Sequence, residues 1–216
     1  LISSLEPDFL AVACFPRLIP AEMTNIARVA ALNVHPSLLP MHRGPDPLFW
    51  IMRDGGEGCG VTVHALSDQF DAGHILAQRA VPYPAGARES EVETVVAQAG
   101  AELLTGAIDA ATTGTLQASE QDERHATYES WPRAVDFTVS TDRPVLHAWN
   151  FIRGVAQRGI PIRIKTARHS TLVVDAQDYG YGSAPADPAP DELIVTFEDG
   201  WLRAVRPGEI RGRHVG

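Results

Sequence analysis

Two short, continuously apolar segments near the start of the chain constrain its fold more than any other feature. Residues 8–14 read DFLAVAC and lie between two prolines, and residues 30–34 read AALNV and end directly before His35. Apolar runs of this length, without alternation, are typical of strands that are buried on both faces of a parallel sheet. The sequence therefore predicts an α/β fold with a Rossmann-like parallel sheet.

Further segments extend this α/β pattern to about residue 127. A loop rich in Pro and Gly occupies residues 37–47, and an apolar stripe at helical spacing begins near Ser90. Between them, at residues 60–65, the segment GVTVHA alternates apolar and polar side chains with the period of a strand. We predict helices at residues 21–29, 48–53 and 90–110, and two further strands at residues 61–65 and 74–81.

The remainder of the chain has a different pattern. One helix is predicted at residues 144–155, with Pro144 in its first turn. The other periodic segments are short and strand-like, at residues 135–139, 162–165, 171–175, 193–197 and 201–205. We therefore divide the chain into an α/β domain at residues 1–127 and a small, β-rich, barrel-like domain with one helix at residues 128–216.

Charge is distributed unevenly between these two parts. The formal net charge is −9; residues 1–127 carry 7 basic and 16 acidic side chains, whereas residues 128–216 carry 11 of each. Polyanions bind to basic surfaces, so the first part is not expected to bind nucleic acid along an extended face.

The sequence contains no sign of a membrane segment or a signal peptide. No run of about eighteen apolar residues occurs, and the start of the chain has acidic residues without a basic segment. Cys14 and Cys59 lie far apart in apolar or Gly-rich surroundings, which indicates buried, reduced thiols. We expect a cytoplasmic protein without disulfides.

Asn33 and His35 are the first candidates for chemistry. They lie two residues apart at the end of a predicted strand, so their side chains project to the same side. Ligands bind to open parallel sheets at the carboxyl ends of the strands. A carboxamide can donate to the oxygen that becomes negative when an amine attacks a carbonyl. The imidazole can stabilise the same oxygen when protonated, or relay the proton of the amine.

Asp71 is the third candidate. A carboxylate beside His35 would favour the protonated imidazole and offer an exit for the proton of the nucleophile. Its position before Ala72 and Gly73 also fits an ordinary turn. A zinc site built from the nearby donors is not favoured, because no HxH or HExxH spacing is present. The donors considered for it are His35, His42, His64, Asp71 and His74.

The segment NVHPSLLP at residues 33–40, followed by Arg43 and Gly44, resembles the N-x-H-P-S-L-L-P-x-x-R-G signature of the folate-dependent formyltransferases. That family includes methionyl-tRNA formyltransferase, glycinamide ribonucleotide formyltransferase and sugar N-formyltransferases. The resemblance continues through GVTVH at residues 60–64 and FDAGHIL at residues 70–76, and covers roughly residues 5–110.

The resemblance implies that residues 1–127 are a catalytic domain with 10-formyltetrahydrofolate as donor and no metal. It implies that Asn33 and His35 act on the formyl group and that Asp71 supports His35. Ser37, Thr62 and His64 would stand behind them, although His64 also fits an ordinary strand histidine and His42 an ordinary loop residue. The resemblance implies a pterin site formed by two loops, at Arg17, Leu18 and Ile19 and at Ser67, Asp68, Gln69 and Phe70.

The family has about seventy further residues before the strand at residues 8–14, including a Gly-rich turn that helps to hold the acceptor. The first half of the catalytic domain is therefore missing here: either the chain is a fragment, or these residues were lost or left out. The neutral charge of residues 128–216 slightly favours a small amine, such as an amino sugar on a nucleotide, over methionyl-tRNA. A 10-formyltetrahydrofolate hydrolase and a non-catalytic binding protein are the alternatives, and the oligomeric state is left open.

Overall fold

The computed structural model describes residues 3–208, which cluster into two compact units. The first unit comprises the described residues up to Pro84 together with Glu89–Trp131. The second comprises Ala85–Arg88 and the described residues from Pro132 onward. Whether residues 1–127 and 128–216 fold as separate domains stays a prediction, for which limited proteolysis is the direct test.

The first unit is a four-stranded sheet with three helices. The strands are hydrogen-bonded in the order β1, β2, β3, β4, and the fold is of the predicted α/β class. The strands are β1 Phe9–Ala13, β2 Ala30–His35, β3 Gly60–Ala65 and β4 Ile75–Ala80, and the helices are α1 Ala21–Thr24, α2 Pro47–Arg53 and α3 Glu89–Thr112.

The prediction of parallel strands is confirmed for one pair and needs correction for the others. β1 and β2 are parallel, whereas β3 is antiparallel to β2 and β4 is antiparallel to β3. The connection between β3 and β4 contains no helix, and a parallel return would need a crossover of about a dozen residues or more. The sheet is therefore mixed, with its parallel segment at β1 and β2.

Helix α3 covers one face of this sheet and fixes the position of β2 and β3. It contacts β2, β3 and β4, and Leu32, Val63 and Ala107 form the buried centre of this packing. Gly100 permits the close approach, since a Cβ there would lie 2.8 Å from the side chain of Val34. Side chains of β2 that point away from α3 are therefore left for other contacts.

The second unit contains one helix, α4 Val145–Val155, and two three-stranded sheets. The predicted barrel-like closure is not observed among the described residues, because α4 packs against β8 and β10 and covers a face that closure would otherwise bury. One sheet has the order β5, β6, β7 and the other β8, β10, β9. The strands are β5 Thr138–Ser140, β6 Ile162–Lys165, β7 Ser170–Val173, β8 Asp175–Tyr181, β9 Glu192–Thr196 and β10 Gly200–Val205.

Two general expectations concern membrane segments and cysteines. Between residues 3 and 208, no helix has the length and apolar character required to cross a membrane. Both cysteines are free, but only Cys59 is buried and Cys14 is exposed. The prediction of burial was wrong for Cys14 because it follows the last residue of β1 with a left-handed φ of 53° and leaves the sheet there.

Candidate active site

The pairing of β2 with β3 places the candidate residues on one surface of the sheet. Asn33 is the cross-strand partner of His64, and His35 is the partner of Thr62. Opposed residues in an antiparallel ladder share a face, so all four side chains project to the same side. A register shift follows between Val63 and His64 on the β4 side, and such bulges re-aim the side chains beside them.

Asp71 reaches this surface from the turn that follows β3. Its backbone is left-handed, with a φ of 52°. The side-chain amide of Gln121 donates to the carbonyl oxygens of Asp71 and Gly73, each at 2.7 Å. The backbone N–H of Gly44 donates to Asp71 Oδ2 at 2.9 Å. The turn is thus held from two directions, and the carboxylate has a fixed orientation.

The structure brings Asn33, His35 and Asp71 together. Asp71 Oδ1 lies 3.4 Å from Asn33 Nδ2 and 3.5 Å from His35 Nδ1. The His35 side chain is only 5% exposed and that of Asp71 12%. At this separation and burial, the charge of the carboxylate interacts strongly with the imidazole.

His64 completes the cluster from β3. Its Nδ1 lies 2.8 Å from the carbonyl oxygen of Ala65, which can only accept, so Nδ1 carries a proton. In the neutral ring Nε2 is then an acceptor, and Asn33 Nδ2 donates to it at 3.0 Å. Asn33 therefore directs one amide hydrogen to His64 and has the other beside Asp71, in a longer contact.

The tautomer of His35 follows from the same reasoning. His35 Nε2 lies 2.8 Å from the carbonyl oxygen of His42 and must donate to it. In a neutral ring, Nδ1 then has a free lone pair, and this is the atom that faces Asp71. Proton transfer at His35 is thus confined to Nδ1.

The pKa values of these groups are shifted in directions that suit such a transfer. Burial lowers the pKa of His35 below its ordinary value of 6.5, and it outweighs the opposing charge of Asp71. Burial alone would raise the pKa of Asp71, but the neighbouring His64, His35 and the N–H of Gly44 outweigh it and lower that pKa. Near neutral pH, the site combines a neutral imidazole with a carboxylate.

Ser37 lies in the loop that follows β2, and Thr62 lies beside this loop on β3. Both hold the backbone of the loop. The hydroxyl of Ser37 donates to the carbonyl of Met41 at 2.7 Å, and the hydroxyl of Thr62 donates to the carbonyl of Ser37 at 2.7 Å. Thr62 Oγ1 also accepts from the N–H of Leu39 at 3.1 Å and from Gln78 at 2.8 Å. Both residues therefore shape the path of the loop and do not touch Asp71.

A cavity of about 580 Å³ opens over Asn33, His35 and Asp71. Its volume suits a small organic ligand. Of the predicted pterin residues, Phe70 lines this cavity and Gln69 lines a second one of about 350 Å³. The end of β1 and the first residues of the loop after it, from Ala13 to Pro16, line the larger cavity, whereas the predicted Arg17, Leu18 and Ile19 are not among its lining residues. Among the described residues, Ser67 and Asp68 also lie outside the lining of both cavities.

Metal ligation has no geometric support in residues 3–208, where no group of three or more His, Cys, Asp or Glu side chains is placed to hold an ion. Three contributors to the site were not foreseen from the sequence. They are the N–H of Gly44, the side chain of Gln121 and the carbonyl of His42. Arg43 and Gly44 belong to the recognised motif, which could have indicated the first; Gln121 lies fifty residues from Asp71 and has no local signature.

Comparison with known proteins identifies the family to which the chain belongs. The family model described as formyl transferase matches residues 1–108, which is half of the chain. The methionyl-tRNA formyltransferase of Staphylococcus aureus strain N315 is 30% identical over 215 residues, which cover 97% of this chain and 68% of that protein. The chain therefore belongs to the formyl transferase family.

In other relatives, the match covers a smaller share of the relative's length or the sequence identity is lower. The methionyl-tRNA formyltransferase of Roseiflexus castenholzii is 31% identical over 175 residues, which cover 77% of this chain and 56% of that protein. The chain thus spans between about half and two thirds of these relatives. The crystal structure of WlaRD, a sugar 3N-formyl transferase, matches with a TM-score of 0.72 at 14% identity and covers 95% of this chain and 76% of that one. HypX from Aquifex aeolicus matches with a TM-score of 0.67 at 20% identity and covers 94% of this chain and 37% of that one.

Proposed function

We propose that the protein containing this chain transfers a formyl group from 10-formyltetrahydrofolate to an amine. The observation that carries the proposal is the fixed arrangement of His35 Nδ1 against Asp71 Oδ1, 3.5 Å apart, beside the amide of Asn33. Family membership agrees with formyl transfer. A HypX structure contains tetrahydrofolic acid and the WlaRD structure was determined with 5-N-formyl-THF, which supports a folate as donor.

Asn33 is proposed to stabilise the oxyanion. Its hydrogen bond to His64 orients the amide group, and the second hydrogen is held only by the 3.4 Å contact to Asp71. A formyl oxygen that becomes negative is a better acceptor at that hydrogen than it is in the ground state. The donor therefore acts mainly in the transition state, as oxyanion-hole donors do.

His35 is proposed to be the general base. The amine nitrogen attacks the formyl carbon, and the proton that it loses passes to His35 Nδ1, because Nε2 already donates to the His42 carbonyl. Collapse of the intermediate breaks the bond between the formyl carbon and N10 of the folate, which takes the proton from Nδ1. Asp71 stabilises the imidazolium between these steps, since opposite charges at this distance favour each other.

The cavity over the three residues is proposed as the donor site. Phe70 and the segment from Ala13 to Pro16, which includes Phe15, line the cavity, and their apolar side chains give a surface against which a flat ring can pack. The proposal keeps the predicted pterin site in two loops, because both loops adjoin residues that line the cavity. The residues of these loops are Arg17, Leu18, Ile19, Ser67, Asp68 and Gln69.

Replacement of His35 by Gln in the full-length protein tests the reaction. Glutamine keeps a side-chain donor for the His42 carbonyl but cannot accept the proton. We expect kcat for formyl transfer to fall by roughly 10²–10⁴-fold, with the affinity for the folate retained. Full turnover in this variant would exclude His35 as the base.

For the acceptor, we favour a small amine over methionyl-tRNA, because residues 128–216 have equal numbers of basic and acidic side chains. The two methionyl-tRNA formyltransferases above favour tRNA. A filter-binding titration of the full-length protein with initiator tRNA separates the two. Micromolar or tighter binding that weakens steeply between about 50 and 200 mM salt would establish tRNA.

Hydrolysis is the alternative reaction at the same site, since water could replace the amine. Incubation of the full-length protein with 10-formyltetrahydrofolate and no acceptor distinguishes them. Rapid release of formate would favour the hydrolase, whereas turnover that depends on an added amine supports the transferase.

A further inference from the structure

His42 occupies a buried position in the loop between β2 and α2. It is 4% exposed, and its backbone is left-handed with a φ of 58°, which is unfavourable for a residue with a Cβ. Its N–H donates to Thr127 Oγ1 at 2.8 Å, and its carbonyl accepts from His35 Nε2 at 2.8 Å. The backbone of His42 thus connects the proposed base to a segment about 85 residues away.

The ring of His42 lies between a carbonyl and a carboxylate. Its Nε2 is 3.1 Å from the carbonyl oxygen of Glu57 and carries a proton, because a carbonyl only accepts. Its Nδ1 is 3.5 Å from Glu129 Oε1. Both His42 Nδ1 and Glu129 Oε2 are buried and make no hydrogen bond within the described residues. A protonated Nδ1 would turn this facing of two lone pairs into an attractive pair.

Backbone pairing fixes Glu129 beside His42. The N–H of Arg43 donates to the carbonyl of Thr127 at 3.0 Å, and the N–H of Glu129 donates to the carbonyl of Arg43 at 2.9 Å. Gly44 lies directly against the carbonyl of Glu129, and a Cβ there would overlap it. The backbone of Glu129 is therefore held beside this loop, and its Oε1 lies 3.5 Å from His42 Nδ1.

We propose that the protonated side chain of His42, paired with Glu129, is a positioning element for catalysis. It holds the His42 carbonyl under His35 Nε2 and so keeps His35 Nδ1 as the only nitrogen free to take a proton. The kinetic part of this inference rests on the proposed function, whereas the charge state and tautomer can be measured without it.

The pKa values of His35 and His42 shift in opposite directions, although each ring faces a carboxylate. Asp71 already receives the N–H of Gly44 and the amide of Asn33, so its charge is shared among several donors. Glu129 Oε2 has no such donor. The groups that act on His42 are Glu129, Asp54 and the carbonyl of Glu57, and it interacts with His35. Burial lowers the pKa of His42, but Glu129, Glu57 and Asp54 outweigh burial and raise it above 6.5.

The directions of these two pKa shifts predict an acid limb and an alkaline limb in the pH profile of kcat. The His42–Glu129 pair is fully formed below the ordinary histidine pKa and is lost as the pH rises through the raised pKa of His42. His35 accepts a proton as the pH falls through its lowered pKa and then cannot act as base. Activity is therefore expected between these two values, with His35 giving the acid limb and His42 the alkaline limb.

The test combines histidine NMR titration with the pH profile of kcat in the full-length protein and its Glu129→Gln variant. We expect the variant to lower the pKa of His42 and to shift the alkaline limb of kcat to lower pH by the same amount, with the acid limb unchanged. Glu120→Gln removes the same charge from an exposed position and is expected to shift neither.

A second variant, His42→Asn, removes the titrating group but tolerates the left-handed backbone. We expect a roughly 10- to 100-fold fall in kcat, no alkaline limb from this residue, and ¹⁵N shifts of His35 that report a mixture of tautomers. An unshifted alkaline limb in both variants, a neutral His42 throughout the titration, or an unchanged His35 tautomer would each overturn the inference. The NMR results decide it even if the protein does not transfer formyl groups.

Discussion

The two units both have apolar cores, but they differ in how many polar side chains they bury. In the first unit, the buried polar set includes His35, His42, Arg43, Thr62 and His64, and each of these side chains takes part in a hydrogen bond. In the second unit, as far as the structure describes it, the polar member of the buried set is Asn150, among apolar side chains such as Phe151 and Ile164. Buried polar groups are costly unless they are fully paired.

This contrast indicates a division of roles. A polar interior fixes the orientation and protonation of reacting groups, whereas an apolar interior contributes mainly to stability. Replacements in the first network are therefore expected to change turnover more than folding, and replacements in the second core to change folding. The following experiments test this division, from the largest expected effect to the smallest.

Phe151→Ala should give the largest change in stability. Phe151 is 1% exposed in α4, and truncation of a buried phenylalanine lowers the free energy of unfolding by about 3–5 kcal/mol. Urea denaturation of the full-length protein measures this, with Leu172→Ala at a position that is 40% exposed as the control. A loss below ~1 kcal/mol would mean that this core does not dominate stability.

Asn33→Ala should lower kcat by about 10²–10³-fold, because an oxyanion donor acts chiefly in the transition state. The KM for the folate should change little. Asn25→Ala, at an exposed asparagine of the same unit, provides the matched control. Weaker folate binding with kcat unchanged would show that Asn33 serves ground-state binding instead.

Asn150→Ala addresses the polar exception in the second unit. Its Oδ1 accepts from the backbone N–H of Gly86 at 2.8 Å, and the change leaves that buried N–H without this partner. We expect a loss of about 1–3 kcal/mol in the free energy of unfolding. Gln177→Ala, exposed in β8, should change it by less than ~0.5 kcal/mol. A neutral result for Asn150→Ala would weaken the contrast between the interiors.

The smallest expected effect is the dependence of stability on the protonation of His35. Its pKa in the folded state lies below 6.5, so the unfolded chain binds the proton first as the pH falls. Stability is retained above the unfolded pKa and lost as the pH decreases through the folded one, by at most ~1.4 kcal/mol per pH unit. Chemical denaturation of the wild type and His35→Gln across this range measures the difference. Identical pH dependence in both would contradict the assigned burial effect.

The sequence was sufficient to predict most of the helices and strands, and to select the residues that lie together at the centre of the candidate site. The alternation in β6 predicted residues 162–165, the bounds observed. Strand β8 was missed because its sequence DAQDYGY contains two Asp and one Gly, which are unfavourable in strands. The antiparallel directions of β3 and β4 also escaped prediction, because the expectation of a parallel sheet rested on the apolar runs of β1 and β2.

Within the site, the motif predicted the residues whose spacing is local. Asn33 and His35 share one strand, and a two-residue interval fixes their common side. The supports of Asp71 depend on chain closure, because Gly44 and Gln121 lie 27 and 50 residues away. Periodicity carries no information over such separations, so the anchors became visible only in the fold.

The cross-strand pairing of Asn33 with His64 has a consequence for how the family can vary. Insertions in the connection between β2 and β3 leave the ladder intact, but they should be tolerated only outside residues 36–44, whose backbone holds His35 and Asp71. An insertion or deletion of one residue within β3 would instead turn His64 and Thr62 to the opposite face. Homologous genes should therefore differ in length between the two strands only outside this segment, while the alternation of side chains along each strand is unchanged.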